Sequence, residues 1–364
     1  MNRLVLLLLA LVFVHVVENR AFAQFGGGAP QPQPPVFGEP DEHGERYVTF
    51  MTFSARDPVV GLVSPDLFPD SQENLGEKMI EYEHHRFMTI IGPVPPGTYR
   101  YRFTSDRPGE WRKFRFPEKT PMDMRDVAHG VVAGINYYSP YQRAFVQFHV
   151  YTPPGYEKND KSYPLLYIFC GDRSYSSEAW GELSRVNLIL DNLIAEGKAQ
   201  PMVVAICSNP DARFAYNNLF RNELREYVEK NYRLLPGGEH RALLGSSILD
   251  LAFQEQGKFA YVANLNAAAP YFPFFSEDQD EVETWEKHHQ RQLADADWKN
   301  EIRLFWFGYR QGFKESANVD QLGLLLTQNN FPVEVYRSDK VNYWQNQRDY
   351  LIELLPKLFQ ASEN

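Results

Sequence analysis

From about Gly130 onward, short apolar runs recur along the chain with helical patterns between many of them, and this alternation is the strongest constraint on the fold. The runs are Ala144–Tyr151, Tyr163–Phe169, Met202–Ile206, Ala242–Leu244, Tyr261–Leu265, Ile302–Phe307 and Val333–Tyr336. Between them, Val186, Ile189, Leu190, Leu193 and Ile194 follow the i, i+3, i+4, i+7, i+8 spacing of one helix face. Phe220, Leu224, Tyr227 and Val228 repeat the pattern, and so do Leu351, Leu354, Leu355 and Leu358. Continuous apolar strands alternating with amphipathic helices predict a mostly parallel sheet flanked by helices on both faces. In such sheets ligands sit beyond the carboxyl ends of the strands, so the residues that follow each strand are the candidates for function.

The upstream part reads differently. Leu4–Val17 is an apolar run broken only by His15, preceded by Arg3 and followed by the small-x-small triplet Ala21-Phe22-Ala23. That is the pattern of a secretory leader cleaved between Ala23 and Gln24, so an exported protein is expected. Residues 24–45 are rich in Pro and Gly and read as a linker. Beyond it, Tyr47–Phe53 has strand composition, and Tyr99–Phe103 alternates aromatic with basic residues. No helix-length apolar period occurs between Arg46 and Trp111, which predicts a small β-sandwich over residues 46–116. A connector, 117–129, then leads into the α/β domain at 130–364.

Composition narrows the function classes. With 26 Phe, 21 Tyr and 6 Trp, the chain has the means to fill a large core, which excludes a low-complexity disordered protein. Two cysteines cannot build a disulfide framework or a four-cysteine zinc site. The net charge of −10 disfavours a nucleic-acid partner, no later segment reads as a membrane span, and nothing in the sequence implies a cofactor or a metal.

The segment Gly245-Ser246-Ser247-Ile248-Leu249-Asp250 follows an apolar strand and precedes a helical stretch. Strand, sharp turn and helix around a serine in G-x-S-x-G form the nucleophile elbow of α/β-hydrolases. Gly245 and Ser247 fit, whereas Leu249 stands at the closing glycine. Further segments carry a resemblance. Val150-Tyr151-Thr152-Pro153-Pro154-Gly155-Tyr156, Ile189–Lys198, Pro201–Val204, Glu226–Arg233 and the end of the chain from Arg348 resemble the esterase D-like family, which includes enterochelin, feruloyl and acetyl xylan esterases. The upstream domain resembles the Ig-like (E-set) modules that precede such enzymes, notably in Gly92–Tyr99. The resemblance implies an α/β hydrolase preceded by a small all-β Ig-like sandwich.

The resemblance weakens where catalysis is expected. A serine esterase needs a base, a carboxylate to orient it, and backbone donors for the oxyanion. The family's oxyanion-loop His-Gly is replaced by Cys170-Gly171. Ile248, after the serine, is the other residue assigned to that loop and pocket. Gln311 stands in the loop where the family has its acid, Asn342 stands at the family histidine two residues before Trp344, and Leu249-Asp250 replaces two glycines. Of the triad only Ser247 remains.

Among the nine histidines only His288 and His289 follow Ser247, and both lie in the acidic stretch 276–297, which reads as a solvated helix without apolar period. His129 precedes the first strand of the α/β domain and reads as structural, and His149 as packed on a strand. His84-His85, near Glu81 and Glu83, lacks a metal-ligand spacing such as H-E-x-x-H.

Trp180, Tyr175 and Trp344 are candidates to line a pocket and stack on a sugar or aromatic acyl group. Cys170 and Cys207 follow consecutive strands, and either a bridge between them or two separate buried thiols fits the sequence. Three readings stand: an exported, catalytically degenerate esterase-fold protein (a pseudoenzyme) that binds a carbohydrate or acylated sugar; an active serine esterase with an unorthodox base; or an adhesion and assembly scaffold.

Overall fold

In the computed structural model, the described residues are 34–41, 45–54, 59–68, 77–95, 97–104, 109–116, 121–170, 180–208, 219–246, 248–265, 281–310, 312, 316–340 and 343–360. They divide into two compact units, drawn from residues 1–65, 70–95 and 101–114 in the first, and 66–69, 96–100 and 115–364 in the second.

The first unit is all β. One antiparallel sheet orders β1 (Val36–Phe37), β2 (Arg46–Phe53), β6 (Arg86–Val94) and β5 (Ile80–Glu83). The other orders β4 (Glu77–Lys78), β3 (Gly61–Val63), β7 (Gly97–Thr104) and β8 (Arg112–Phe116), of which residues 101–104 of β7 and 112–114 of β8 belong to this unit. Phe50 of β2 meets Tyr101 of β7 and Phe114 of β8 edge-on, with ring centroids 5.0 and 5.5 Å away. Those rings are the seam between two facing sheets, and the expected sandwich is present.

The second unit is built on an eight-stranded sheet in the order β16, β15, β14, β13, β11, β12, β10, β9. Its strands are β9 (Val131–Ser139), β10 (Ala144–Thr152), β11 (Leu165–Cys170), β12 (Val203–Ser208), β13 (Arg241–Gly245), β14 (Tyr261–Leu265), β15 (Leu304–Arg310) and β16 (Val333–Ser338). From β12 to β16 every pairing is parallel, and the β9–β10 hairpin closes one edge antiparallel. All seven apolar runs are strands. β9 has no such run, because an edge strand with one side in water alternates exposed and half-buried residues.

The helices are α1 (Val186–Ala195), α2 (Arg225–Asn231), α3 (Leu249–Gln254), α4 (Glu281–His288), α5 (Gln290–Ala294), α6 (Ala296–Glu301), α7 (Ser316–Gln328) and α8 (Tyr343–Leu354). Strand alternation sorts the core into two layers. Leu165, Tyr167, Phe169, Val203, Ala205 and Cys207 face Val228, Leu251, Phe253, Leu322 and Leu326. Leu166, Ile168, Val204 and Ile206 face Ile189, Leu193, Leu351 and Leu354 on the other side. Both faces are covered, which is why the strands read as continuous apolar runs.

A buried carboxylate fastens the start of this unit. Asp191 of α1 accepts hydrogen bonds from the Tyr151 hydroxyl at 2.7 Å and the Gly130 backbone N–H at 2.9 Å, and its other oxygen lies 2.9 Å from His129 Nδ1. His129 Nε2 lies 3.0 Å from the Arg125 carbonyl oxygen. Both ring nitrogens therefore face acceptors, an arrangement that suits the imidazolium, and the bond to Asp191 raises the imidazole pKa. Gly130 is required there, since a Cβ would lie 2.3 Å from the Thr152 carbonyl oxygen. Beside it, the buried Asn192 donates to the carbonyls of Pro121 and Asp123. His129 has the structural place its sequence position suggested.

Candidate functional site

Parallel β11 to β16 end on one edge of the sheet, and the positions singled out in the sequence follow those ends in the chain. Cys170 closes β11, Ser247 comes two residues after β13, Gln311 follows the last residue of β15, and Asn342 directly precedes α8. Ser247, Gly171, Tyr175, Gln311 and Asn342 themselves lie outside the described residues, as does the Cys170 side chain.

Around the serine, the strand–turn–helix order is present. β13 ends at Gly245, whose added Cβ would stand 2.8 Å from both the Cβ and the carbonyl oxygen of Phe169 on the neighbouring strand. Only glycine permits that approach. The Ser246 hydroxyl donates to the Leu265 carbonyl at 2.8 Å, tying the turn to the end of β14. Ile248 and Leu249 are both buried in the core layer on the α3 side of the sheet. Leu249, which stands at the closing glycine of the motif, is thus a core side chain of α3.

Asp250 does something the sequence did not reveal. Its Oδ1 accepts the Trp285 indole N–H at 3.1 Å and lies 3.7 Å from His289 Nε2, within ion-pair range but beyond hydrogen-bond reach. His289 is only 2% exposed and Trp285 fully buried, which corrects the expectation of a solvated surface segment at these two positions; His288 is exposed as expected. The imidazole centroid lies 4.4 Å from the Trp285 ring, tilted by 32°, and 5.1 Å from Phe253, which it meets edge-on. Its Nδ1 lies 2.9 Å from the Trp285 carbonyl oxygen; a carbonyl only accepts, so Nδ1 carries the proton. Trp285, His289 and Leu293 recur at four-residue steps and are buried, an apolar period that the surrounding acidic residues masked.

Burial moves this pair in opposite directions. Desolvation raises the Asp250 carboxyl pKa and lowers that of His289, and the nearby His288 pushes His289 the same way. Two signs follow by linkage. The stability that neutral His289 contributes is complete above the ordinary imidazole value of about 6.5 and is lost as pH falls toward its depressed folded value. The protonated Asp250 contributes at low pH, and that part is lost as pH rises through its raised value. Replacing Asp250 by Asn removes the second effect and the charge that supports imidazolium. Asp250→Asn is therefore expected to lose more stability than wild type between pH 7 and the mildly acidic range, and His289→Gln to lose less. Denaturant midpoints by tryptophan fluorescence across that range test both; parallel curves for all three proteins would refute the pairing.

Other expectations are corrected. Trp180 is 1% exposed and Trp344 fully buried, meeting edge-to-face at 5.9 Å in the core layer beneath α1 and α8. They are packing residues rather than a ligand platform, because large apolar rings at these positions fill the space between α8 and the sheet. Cys207 is a buried thiol whose Sγ lies 4.0 Å from the Ala205 carbonyl oxygen. The register opposes Cys207 to Phe169 and Cys170 to Ser208, a one-residue offset that puts positions 170 and 207 on opposite faces of the pleat.

No family model matches the chain. A protein of Xylanibacter ruminicola described as an endo-1,4-beta-xylanase/feruloyl esterase is 27% identical over 186 residues, 45% of this chain. The match spans only a quarter of that relative's length. Among solved structures, the enterobactin esterase of Shigella flexneri superposes with a TM-score of 0.61 at 13% identity, over 89% of this chain and 97% of that one. The feruloyl esterase module of Clostridium thermocellum gives 0.55 at 17% identity, over 69% and 95%. The parallel sheet with helical layers on both faces is thus the fold of these solved feruloyl and enterobactin esterases, which are structural neighbours of this chain.

Proposed function

We propose that this protein is an esterase-fold binding protein that has lost hydrolytic competence, exported through the leader 1–23 and directed at a carbohydrate or acylated sugar. The observation that carries this reading is the engagement of His289. A triad histidine offers one nitrogen to a carboxylate and the other to the serine. In His289 the proton-bearing Nδ1 is held by the Trp285 backbone carbonyl instead of a carboxylate, and its Asp250 neighbour stands on the Nε2 side at 3.7 Å, so the carboxylate-to-Nδ1 orientation of a triad histidine is not the one adopted here. With Asn342 and Gln311 at the family's base and acid positions, the sequence supplies no substitute there.

The ligand class rests on the company the fold keeps. One neighbour is a feruloyl esterase module complexed with sinapinate, and another is an enterobactin esterase in the presence of 2,3-dihydroxy-N-benzoyl-glycine. Both ligands carry an aromatic ring and a carboxyl-derived group, a free acid in one and an amide in the other. The Ig-like character of the first unit belongs to the same proposal. Treatment with a fluorophosphonate probe is expected to leave Ser247 unlabelled, while arrays of acetylated and feruloylated xylo-oligosaccharides retain both wild type and Ser247→Ala. Stoichiometric labelling of Ser247 would instead support an active esterase with an unorthodox base.

A further inference from the structure

β5 and β6 are joined by two residues only, His84 and His85. His85 adopts φ 63°, the left-handed region, at the turn position where glycine or asparagine is the usual choice. In a continuing strand, consecutive side chains leave on opposite faces. At this bend they do not: the two imidazole centroids are 3.9 Å apart with planes inclined by 49°.

Two strand residues complete the group. Glu81 Oε1 accepts the His85 backbone N–H at 2.8 Å, which holds the carboxylate over the turn. Glu83 is engaged by Arg86 at 3.4 Å, so the carboxylate directed to the histidines is that of Glu81. The turn is anchored from the adjacent strand, where Ser54 donates its N–H to the His85 carbonyl at 3.0 Å. One donor atom from each of Glu81, His84 and His85 lies within 4.8 Å of the others.

We propose that this hairpin is a binding site for one divalent transition-metal ion of the zinc class, held by Glu81, His84 and His85. Two imidazoles and a carboxylate suit Zn²⁺, Ni²⁺ or Cu²⁺, whereas Ca²⁺ and Mg²⁺ need mostly oxygen donors. Metal–ligand bonds of about 2.1 Å place tetrahedral donors roughly 3.4 Å apart, a spacing that small rotations of partly exposed side chains reach from the present one. Three protein ligands leave a coordination position open to water or to a donor from a bound partner. The sequence spacing conceals the site, because adjacent histidines converge only where the backbone turns left-handed.

Purified full-length mature protein, stripped with chelator, is to be titrated with ZnCl₂ by calorimetry and with Co²⁺ by visible absorption. One equivalent of Zn²⁺ is expected in the wild type, with no matching uptake of Ca²⁺. His84→Ala, His85→Gly and Glu81→Gln should each weaken binding by more than roughly tenfold. His85→Gly is the decisive variant, since glycine relieves the left-handed backbone and should leave thermal stability equal or higher. Loss of zinc in a protein that melts no earlier then assigns the imidazole as ligand. Absence of stoichiometric zinc in the wild type, or wild-type affinity in His85→Gly, would overturn the proposal.

Discussion

Purified mature protein is expected to hydrolyse activated acetyl and feruloyl esters no faster than its Ser247→Ala variant. In a well-studied serine protease, loss of the histidine lowers turnover by about 10⁶, on the order of 8 kcal/mol of barrier. Asn342 can donate a hydrogen bond but cannot take a proton near neutral pH, so Ser247 would remain a protonated alcohol of ordinary nucleophilicity. The histidines that follow Ser247 in the chain offer little remedy. His289 is buried against Trp285 and, edge-on, against Phe253, with burial lowering its pKa. Residual acceleration of about 10³ over water can survive from binding and backbone donors alone, so only the serine-dependent part of the rate is diagnostic. Restoring Asn342→His together with Gln311→Asp should not suffice, because Leu249 and Asp250 are committed to the core and to Trp285. A wild-type rate a hundredfold above Ser247→Ala would sink the binding-protein reading.

Asp191→Ala should destabilise the second unit by about 3 kcal/mol or more, read as a shift in the urea midpoint. The substitution strands the Tyr151 hydroxyl, which is fully buried, and removes the acceptor of the Gly130 N–H at the entry to β9. It also removes the partner that raises the His129 pKa. That pair contributes stability below the ordinary imidazole value, and the contribution is lost as pH rises through the raised folded value. The wild type should therefore lose more stability than Asp191→Ala across that interval, the opposite sign from the behaviour at His289. Equal midpoints for wild type and variant would show that the network contributes nothing.

Local sequence carried the elements. Seven apolar runs became seven strands, and the helix faces centred on Ile189, Val228 and Leu351 became core-facing helices, because periodicity records which side of an element meets the core. The two-sided burial of a parallel sheet and the glycine at the end of β13 were equally legible, since a continuous apolar run and a required close approach are properties of a few neighbouring residues. The exposure of an aromatic side chain was not. Trp180 and Trp344 read as pocket walls and are core, because burial is decided by α8 packing against the sheet and against the segment before α1, more than 150 residues away in the chain. The Asp250–Trp285–His289 group joins α3 to α4 and the residue that follows it, with the whole of β14 between, and no spacing within α3 or α4 announces it. His84 and His85 were visible as a pair, yet their convergence depended on one left-handed residue at a hairpin turn. Side-chain identity and period are written along the chain; which side chains share a dielectric and a partner is fixed only when distant elements close on each other.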